Sequence, residues 1–357
     1  LQGHDILGSA QTGTGKTAAF CIPILELLMK SSRGSLLIMI PTRELAKQVL
    51  DVINSLIGYK GSLNTATLIG GESMSKQLSQ LKKRPRIYVG TPGRINDHLQ
   101  RGTLNLHDAK YLVLDETDRM LDMGFEVQIN KIIKFLPVNR QVLMFSATIP
   151  NNILKLSSKY LNKPIRISIG NSNIVAKNIK QEIIELKSDE KLDQLIQQID
   201  NRNGSILIFV KTKYGTEKLS KALSKKKIKS FPLHGGLRQS KRNTIMKNFR
   251  DMKFRILIAT DVAARGIDVP HIEHVINYDL PQMAEDFIHR IGRTARAGSK
   301  GIALSFVTKG DFAKWKEIQK ILNPEKNFNN PKSTKIKKSK KQFNKKNEGN
   351  KRPSFKK

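Results

Sequence analysis

"YLVLDETDRMLDMGF" (residues 111–125) begins with four apolar residues and then places three carboxylates within four positions, at Asp115, Glu116 and Asp118. Carboxylates this close repel one another, so the run predicts a site where positive charge compensates the repulsion. An apolar run of this kind is typical of a buried strand, and ligands of open α/β sheets bind at the carboxyl ends of strands. For Asp118, an acidic helix N-terminus favoured by the helix dipole is a second, compatible explanation.

Short apolar runs like this one recur along the chain, with helical patterns between them. Such alternation indicates parallel sheets joined by right-handed crossovers. We predict an α/β fold of two similar domains, residues 1–170 and 182–323, with a polar linker at 171–181. The predicted strands lie near 5–7 and at 36–40, 87–89, 111–114, 142–145, 206–210, 255–259, 274–278 and 302–307.

The chain has one cysteine, Cys21, so an intramolecular disulfide is impossible and a reducing, cytoplasmic location is expected. The longest apolar stretch, AAFCIPILELLM, contains Pro23 and Glu26 and is too short to span a bilayer. Nothing at the amino terminus resembles a signal peptide. Leu1 is not an initiator methionine and a strand-like segment follows at once, so we expect the sequence to begin inside a domain.

AQTGTGKT (residues 10–17) predicts a phosphate-binding loop between the first strand and a helix. Gly13 and Gly15 allow backbone N–H groups to surround phosphate oxygens, Lys16 reaches the β- and γ-phosphates, and Thr17 is a ligand for Mg²⁺. Ala10 stands where the general pattern has its first glycine. The residues predicted to bind the nucleotide are Ala10, Gln11, Thr12, Gly13, Thr14, Gly15, Lys16 and Thr17.

The carboxylates at 115 and 116 complete this predicted site. A phosphate-binding loop needs a carboxylate on a neighbouring strand to hold the metal, and Asp115 is placed for that role beside Thr17. Glu116 would orient and deprotonate an attacking water. Together these residues predict hydrolysis of a nucleotide, with water as the acceptor.

Eight motifs resemble, in order and spacing, those of DEAD-box ATP-dependent RNA helicases: AQTGTGKT, PTRELA (41–46), GG (70–71), TPGR (91–94), DETD (115–118), SAT (146–148), ATDVAARGID (259–268) and HRIGRTARAG (289–298). The resemblance covers about residues 1–320, and DRMLDMGF with the basic tail is most similar to the bacterial RhlE-type branch. It implies two tandem RecA-like domains with ATP and RNA bound across the cleft between them. Thr117 stands where the family has alanine, so the motif reads DETD.

The resemblance implies roles for second-domain residues at the nucleotide. Arg293 and Arg296 lie three apart, which predicts one helical face from which both reach the γ-phosphate as arginine fingers. Ala295 stands where the family has glycine, and we expect the change to be tolerated. His289 would contact the SAT and DETD segments, and Asp268 would contact the ribose.

The SAT segment would link the nucleotide site to the RNA, with Ser146 and Thr148 bonding Asp118. The residues to which the resemblance assigns catalytic roles are Lys16, Asp115, Glu116, Asp118, Ser146, Thr148, His289, Arg293 and Arg296.

RNA contacts in this family are mostly to sugar and phosphate, which predicts sequence-independent binding. For Arg43, pairing with Glu44 or capping of a helix is an alternative role. The predicted RNA-binding residues are Pro41, Thr42, Arg43, Gly71, Thr91, Pro92, Gly93 and Arg94 of the first domain and Gly235, Arg242 and Thr260 of the second.

The charge of the chain also favours a polyanionic partner. Its 64 Lys and Arg against 30 Asp and Glu give a net charge of +34, and clustered cations gain from counterion release on phosphates. A lysine-rich composition bias is the alternative. Residues 324–357 hold thirteen of these cations against two glutamates and few apolar residues, which predicts a disordered tail. The tail would capture RNA without specificity or serve as a solubilising extension.

We therefore predict a cytoplasmic, monomeric ATP-dependent RNA helicase that uses ATP and Mg²⁺ to unwind short RNA duplexes or remodel RNA–protein complexes. Ribonucleoprotein or ribosome-assembly partners are candidates, and a membrane is not. The family's adenine-reading Q motif would lie before Leu1, so an ATPase-impaired RNA clamp or chaperone is the alternative. A DNA helicase on the same fold is a second alternative.

Overall fold

The computed structural model describes residues 2–10, 14–58, 63–147, 149, 151–169, 178–264, 269, 271–295 and 299–322. Residues 171–177 of the predicted linker and the predicted tail at 324–357 lie outside the described residues.

The first domain is built on a sheet of seven parallel strands. They are β1 (Ile6–Ala10), β2 (Ser35–Met39), β3 (Thr65–Leu68), β4 (Ile87–Gly90), β5 (Ala109–Leu114), β6 (Gln141–Ser146) and β7 (Ile165–Ile169). Their order across the sheet is β3-β4-β2-β5-β6-β1-β7. Parallel pairing places the carboxyl ends of β5, β6 and β1 side by side at one edge.

Helices cover both faces of this sheet, because successive residues of its strands point to opposite sides. On β2, Leu36 and Ile38 pack into one core with the first two helices, whereas Leu37 and Met39 pack into the other with the last four. The helices are α1 (Lys16–Lys30), α2 (Arg43–Ile57), α3 (Met74–Lys82), α4 (Pro92–Gln100), α5 (Thr117–Asp122), α6 (Glu126–Ile133) and α7 (Asn151–Tyr160).

The second domain repeats this design with six parallel strands, β8 (Ile179–Glu185), β9 (Ser205–Phe209), β10 (Ser230–Leu233), β11 (Ile256–Ala259), β12 (Ile272–Asn277) and β13 (Gly301–Val307). Their order is β10-β11-β9-β12-β13-β8. Its helices are α8 (Lys191–Asp200), α9 (Lys213–Lys225), α10 (Gln239–Arg250), α11 (Asp261–Ala264), α12 (Ala284–Ile291) and α13 (Phe312–Leu322).

The predicted α/β fold of two parallel-sheet domains is confirmed, and every predicted strand is present within a few residues of its predicted position. The prediction missed β3, β7, β8 and β10. The predicted linker also extends too far toward the carboxyl terminus, because β8 begins at Ile179 and pairs with β13. Residues 179–181 of the predicted linker therefore lie in the second sheet.

Several helices begin directly after the carboxyl end of a strand, and the sequence explains where. The side chain of Thr42 caps α2 by accepting a hydrogen bond from the Leu45 N–H at 3.3 Å. Pro92 occupies the first turn of α4, where it has no backbone N–H to leave unpaired. In the part of the chain that the structure describes, no helix is both long and apolar enough to cross a bilayer.

Candidate functional site

The predicted nucleotide residues meet at the edge of the first sheet where β1, β6 and β5 end. Gly15 precedes α1 with φ of 87°, a left-handed conformation that glycine adopts without strain. The Lys16 Nζ donates to the carbonyl of Ala10 at 2.6 Å, so it bridges the two ends of the loop. Thr14 and Thr17 are also described, whereas Gln11, Thr12 and Gly13 lie outside the described residues.

Asp115 is almost fully buried, with 3% of its surface exposed. Burial raises the pKa of its carboxyl to about 6, and the neighbouring charge of Glu116 adds to the rise, while Lys16 opposes it. Its Oδ1 accepts the Glu116 N–H at 2.9 Å, which fixes the carboxyl at the end of β5. A carboxylate so placed favours a bound cation, because the cation restores the charge balance lost with water.

Glu116 has φ of 51° and ψ of 49°, a left-handed conformation that is uncommon for a residue with a side chain. Its Oε2 accepts from Arg119 Nη1 at 2.9 Å, in an ion pair whose partners are both buried. Strained backbone of this kind persists where the surroundings fix it, and it is concentrated at functional sites.

Asp118 connects α5 to the predicted SAT segment. Its Oδ1 accepts the Arg119 N–H at 3.0 Å, and its Oδ2 accepts the Ala147 N–H at 3.1 Å. The link therefore includes a backbone amide of the segment, where the sequence predicted side chains. Ser146 is buried at the end of β6, and Thr148 lies outside the described residues.

Thr117, which stands where the resemblance predicted alanine, has no exposed surface. Its Oγ1 donates to the carbonyl of Leu114 at 3.2 Å. The hydroxyl is thus satisfied by the local backbone.

His289 brings the second domain to this edge. It lies in α12, and its Nδ1 is 3.0 Å from Arg119 Nη2. The contact joins the domains next to the DETD segment, one residue beyond the predicted partner. In the same helix, the buried Arg290 donates twice to Asp261 and lies over the ring of Phe209, a structural role that sequence reasoning missed.

The helical face predicted for Arg293 is wrong. The helix α12 ends at Ile291, and Arg293 lies in the turn that follows, where its Nε donates to the carbonyl of His289 at 3.1 Å. Gly292 caps the helix, and Ala295 has φ of 56°. That conformation explains why a glycine suits position 295, and alanine adopts it with a strain of about 1–2 kcal/mol. Asp268 and Arg296 lie outside the described residues.

The predicted RNA-binding residues mostly line one groove between the domains. Gly71 lies beneath the Arg43 guanidinium, Pro92 is buried in α4, and Thr260 lines a neighbouring cavity. Met123, Phe125 and Val262 line the groove too, although the sequence did not single them out. The predicted residues that line it are Pro41, Thr42, Arg43, Thr91, Gly93, Arg94, Gly235 and Arg242.

A polar cluster of four side chains crosses this groove. Arg43 Nη1 donates to Gln239 Oε1 at 3.0 Å, and Gln239 Nε2 donates to Glu44 Oε1 at 3.0 Å. The same Glu44 oxygen pairs with Arg242 at 2.8 Å. Burial lowers the pKa of Arg43, and the nearby charge of Arg242 lowers it further. Glu44 thus pairs with Arg242, and no sequence signal had identified Gln239.

Comparison with known proteins identifies both domains. Residues 1–156 match the DEAD/DEAH box helicase family, and residues 187–298 match the helicase conserved C-terminal domain. The chain is 41% identical over 322 residues to DEAD-box ATP-dependent RNA helicase CshA of Geobacillus kaustophilus, covering 90% of this chain and 69% of that protein. It is 40% identical to DEAD-box ATP-dependent RNA helicase RhpA of Helicobacter pylori, covering 91% and 66%. The chain thus spans about two thirds of these relatives, and 59% of CshA of Listeria monocytogenes.

Solved structures of similar proteins resemble this chain over both domains. S. cerevisiae Dbp5 bound to RNA and ADP BeF3 is 32% identical with a TM-score of 0.81, over 90% of this chain and 84% of that one. Mss116p bound to ssRNA and AMP-PNP is 31% identical with a TM-score of 0.81, over 90% and 69%. A DEAD box protein from Methanococcus jannaschii is 42% identical with a TM-score of 0.53, over 90% and 86%.

Proposed function

Because the chain belongs to the DEAD/DEAH box helicase family, we propose that it is an ATP-dependent RNA helicase. It couples ATP hydrolysis to the local unwinding of short RNA duplexes or to the remodelling of RNA–protein complexes. Residues 1–170 bind ATP, residues 182–323 complete the site, and RNA lies in the groove between the two domains.

The observation that carries this proposal is the interdomain contact at the carboxylates. Arg119 joins Glu116 of the first domain to His289 of the second, and Arg293 follows in the adjacent turn. A site divided in this way is complete only when the domains are together. Hydrolysis is thereby coupled to closure, and closure to whatever occupies the groove.

Magnesium fits the residues present. Thr17 and Asp115 offer the hydroxyl and carboxylate oxygens that Mg²⁺ prefers, and Mg²⁺ in nucleotide sites uses one or two carboxylates together with phosphates. Among the described residues no group of three or more His, Cys, Asp or Glu side chains could hold a metal ion by itself. When bound, the ion would neutralise charge on the phosphates. Lys16 binds the phosphates, and Glu116 orients and deprotonates water.

RNA binding in the groove rests on the donors that line it. Arg242 lines the groove, and its Nε has no hydrogen-bond partner among the described residues. Residues of the PTRELA and TPGR segments line the same groove. Contacts of this type read sugar and phosphate, so binding is independent of sequence.

We extend the proposal to the finer points of identity. The subgroup is the RhlE-type branch, on the basis of DRMLDMGF and the basic tail. A monomer in a reducing cytoplasmic setting agrees with the single, buried Cys21. Ribonucleoprotein or ribosome-assembly complexes are the partners that a sequence-independent RNA remodeller would serve.

The test is RNA-stimulated ATP hydrolysis by the wild type, Glu116→Gln and Lys16→Ala. Glu116→Gln should keep ATP and RNA binding and lose turnover by at least 10²-fold, because it retains the shape and removes the base. Lys16→Ala should lose ATP binding in a titration. Duplex RNA should stimulate the wild type more than duplex DNA.

Three results would contradict the proposal. Persistent turnover in Glu116→Gln would remove its role as the base. Near-normal ATP affinity in Lys16→Ala would show that this loop does not bind the phosphates of ATP. Tight RNA binding by the wild type without any ATPase would instead indicate a clamp or chaperone. Matched rates with ATP and GTP would show that the chain tested does not read adenine.

A further inference from the structure

Arg119 is a buried arginine that lies outside the eight sequence motifs and was not predicted as a site residue. It lies in α5, three residues after Glu116, with 2% of its surface exposed. A buried guanidinium is unfavourable unless its donors find partners, and losing one partner of a buried pair is strongly destabilising. The contacts that satisfy Arg119 therefore indicate its purpose.

Those contacts lie on the two sides of the interdomain cleft. Nη1 donates to Glu116 Oε2 at 2.9 Å, and Nη2 donates to His289 Nδ1 at 3.0 Å. A guanidinium has no acceptor, so Nδ1 of His289 must accept and the ring proton resides on Nε2. Both donors belong to one rigid planar group, so the position of His289 determines the plane in which Glu116 is held.

The backbone around Glu116 is fixed independently. Its N–H donates to Asp115 Oδ1 at 2.9 Å, and Asp118 Oδ1 accepts the Arg119 N–H at 3.0 Å. The left-handed conformation of Glu116 starts its side chain in an unusual direction. What is left to determine is the orientation of the carboxylate, and the ion pair with Arg119 determines it.

We propose that Arg119 is a positioning residue that orients the Glu116 carboxylate only when the second domain has brought His289 into contact with it. This inference rests on the proposed function, in which Glu116 orients and deprotonates the attacking water. With the domains apart, the guanidinium has one partner in place of two, and its plane is no longer fixed. Glu116 then points away from the water for part of the time, which slows hydrolysis before RNA is bound.

The experiment compares Arg119→Met and Arg119→Lys with the wild type in steady-state ATP hydrolysis. Methionine fills similar space without donors, and lysine keeps the charge on one ammonium that cannot hold both partners in a planar fork. Arg119→Met should lower RNA-stimulated kcat by about 10²-fold, the loss expected when a catalytic group is misplaced by about 1 Å. The KM for ATP should stay within about threefold. Arg119→Lys should have a higher kcat than Arg119→Met. Its ratio of the rates with and without RNA should stay well below that of the wild type.

Arg86→Met is the matched control. Arg86 is a partly buried arginine of the first domain, and it donates to the carbonyls of Gly34 at 2.8 Å and Leu28 at 2.9 Å. It precedes β4, at the edge of the sheet opposite the site. Its loss should lower stability and leave RNA stimulation unchanged. Wild-type kcat and RNA stimulation in a folded Arg119→Met would overturn the inference.

A second readout separates this inference from the proposed function. Because Cys21 is the only cysteine and is buried, single cysteines introduced on each domain can carry a fluorescent donor and acceptor. With a non-hydrolysable ATP analogue, Arg119→Met should need about tenfold more RNA than the wild type to bring the dyes together. Equal RNA requirements would overturn the interdomain link even if ATPase is present. Absence of wild-type ATPase would contradict the proposed function alone, since this shift can be measured without hydrolysis.

Discussion

Asp115 is held where an ionised carboxylate is unfavourable. Its pKa is raised from 3.8 to about 6, chiefly by burial, so the folded protein without a bound cation prefers the protonated form. Folding therefore binds a proton between these two values. The stability contributed by this residue is present at low pH and is lost as pH rises from about 4 to about 6.

Asp115→Asn should stabilise the protein in the absence of Mg²⁺ and nucleotide. Asparagine keeps an oxygen for the Glu116 N–H and carries no charge, so above pH 6 the variant should unfold with about 1–3 kcal/mol more free energy than the wild type. Near pH 4 the difference should vanish, because both side chains are neutral in the folded state. Denaturant unfolding at pH 7.5 and pH 4 measures this, while turnover with Mg²⁺ and ATP should be lost.

Asp97→Asn is the control for this prediction. Asp97 is a partly exposed carboxylate whose pKa is lowered by its hydrogen bond with Arg101. Its replacement should not stabilise the protein at any pH. If Asp115→Asn is no more stable than Asp97→Asn at pH 7.5, the buried carboxylate is already compensated within the protein.

At the scale of helices and strands, the sequence is informative where a run is buried on both faces. The strands β2, β5, β6 and β9 are almost wholly apolar and were predicted, because parallel central strands read as continuous hydrophobic runs. The missed strands are different. β3 and β10 are four-residue edge strands that read TATL and SFPL, and every residue of β7 is exposed.

The same distinction applies to the site. The phosphate loop, Asp115 and Glu116 are adjacent in sequence to a strand end, so they were predictable. Arg119, Glu44 and Gln239 each contact a partner at least 170 residues away in the other domain, and a single sequence does not show which distant side chains meet. The turn after α12 was predicted as helix because spacing alone cannot show where Gly292 ends it.

Gly70 and Gly71 form a turn that lies against the side chain of Arg43, the first residue of α2. Gly71 has φ of 75°, and a Cβ there would lie 3.0 Å from the Cζ of Arg43. Gly71→Ala should therefore strain the turn and move the Arg43 guanidinium away from Gln239. We expect RNA affinity to fall about tenfold, equivalent to about 1.4 kcal/mol, with ATP affinity unchanged. Fluorescence anisotropy with a labelled RNA single strand measures the RNA affinity.

Gly102→Ala separates the effect of backbone strain from the effect of moving the Arg43 guanidinium. Gly102 follows α4 with φ of 65°, and a Cβ there would meet nothing within 4 Å. It carries the backbone strain without displacing a side chain, so it should lower stability while leaving RNA affinity unchanged. Equal losses of RNA affinity in both variants would show that Arg43 is not the intermediary.

At the scale of the whole molecule, side-chain contacts join the domains at different places in the cleft. Arg119 and His289 meet beside the proposed nucleotide site, and the four-residue cluster around Glu44 crosses the groove proposed to bind RNA. Under the proposed function, domain closure would therefore bring ATP hydrolysis and RNA binding together in one motion. The cluster has a further property, because it already contains a carboxylate where RNA would bring phosphates.

Glu44→Gln should make closure depend more strongly on RNA. Glu44 accepts from Arg242 and Gln239 across the groove and lies beside Arg43, so its charge offsets two guanidinium groups that otherwise repel. Without that charge, the closed fraction measured by fluorescence energy transfer should fall when RNA is absent. Saturating RNA should restore it, because phosphates replace the carboxylate. The slope of log affinity against log salt should steepen by up to about 0.7, the value for one further phosphate contact on a single strand.

Glu26→Gln removes an exposed carboxylate paired with Lys30 on α1 and should change neither quantity. A closed fraction that does not respond to Glu44→Gln would mean that the cluster around Glu44 does not hold the domains together.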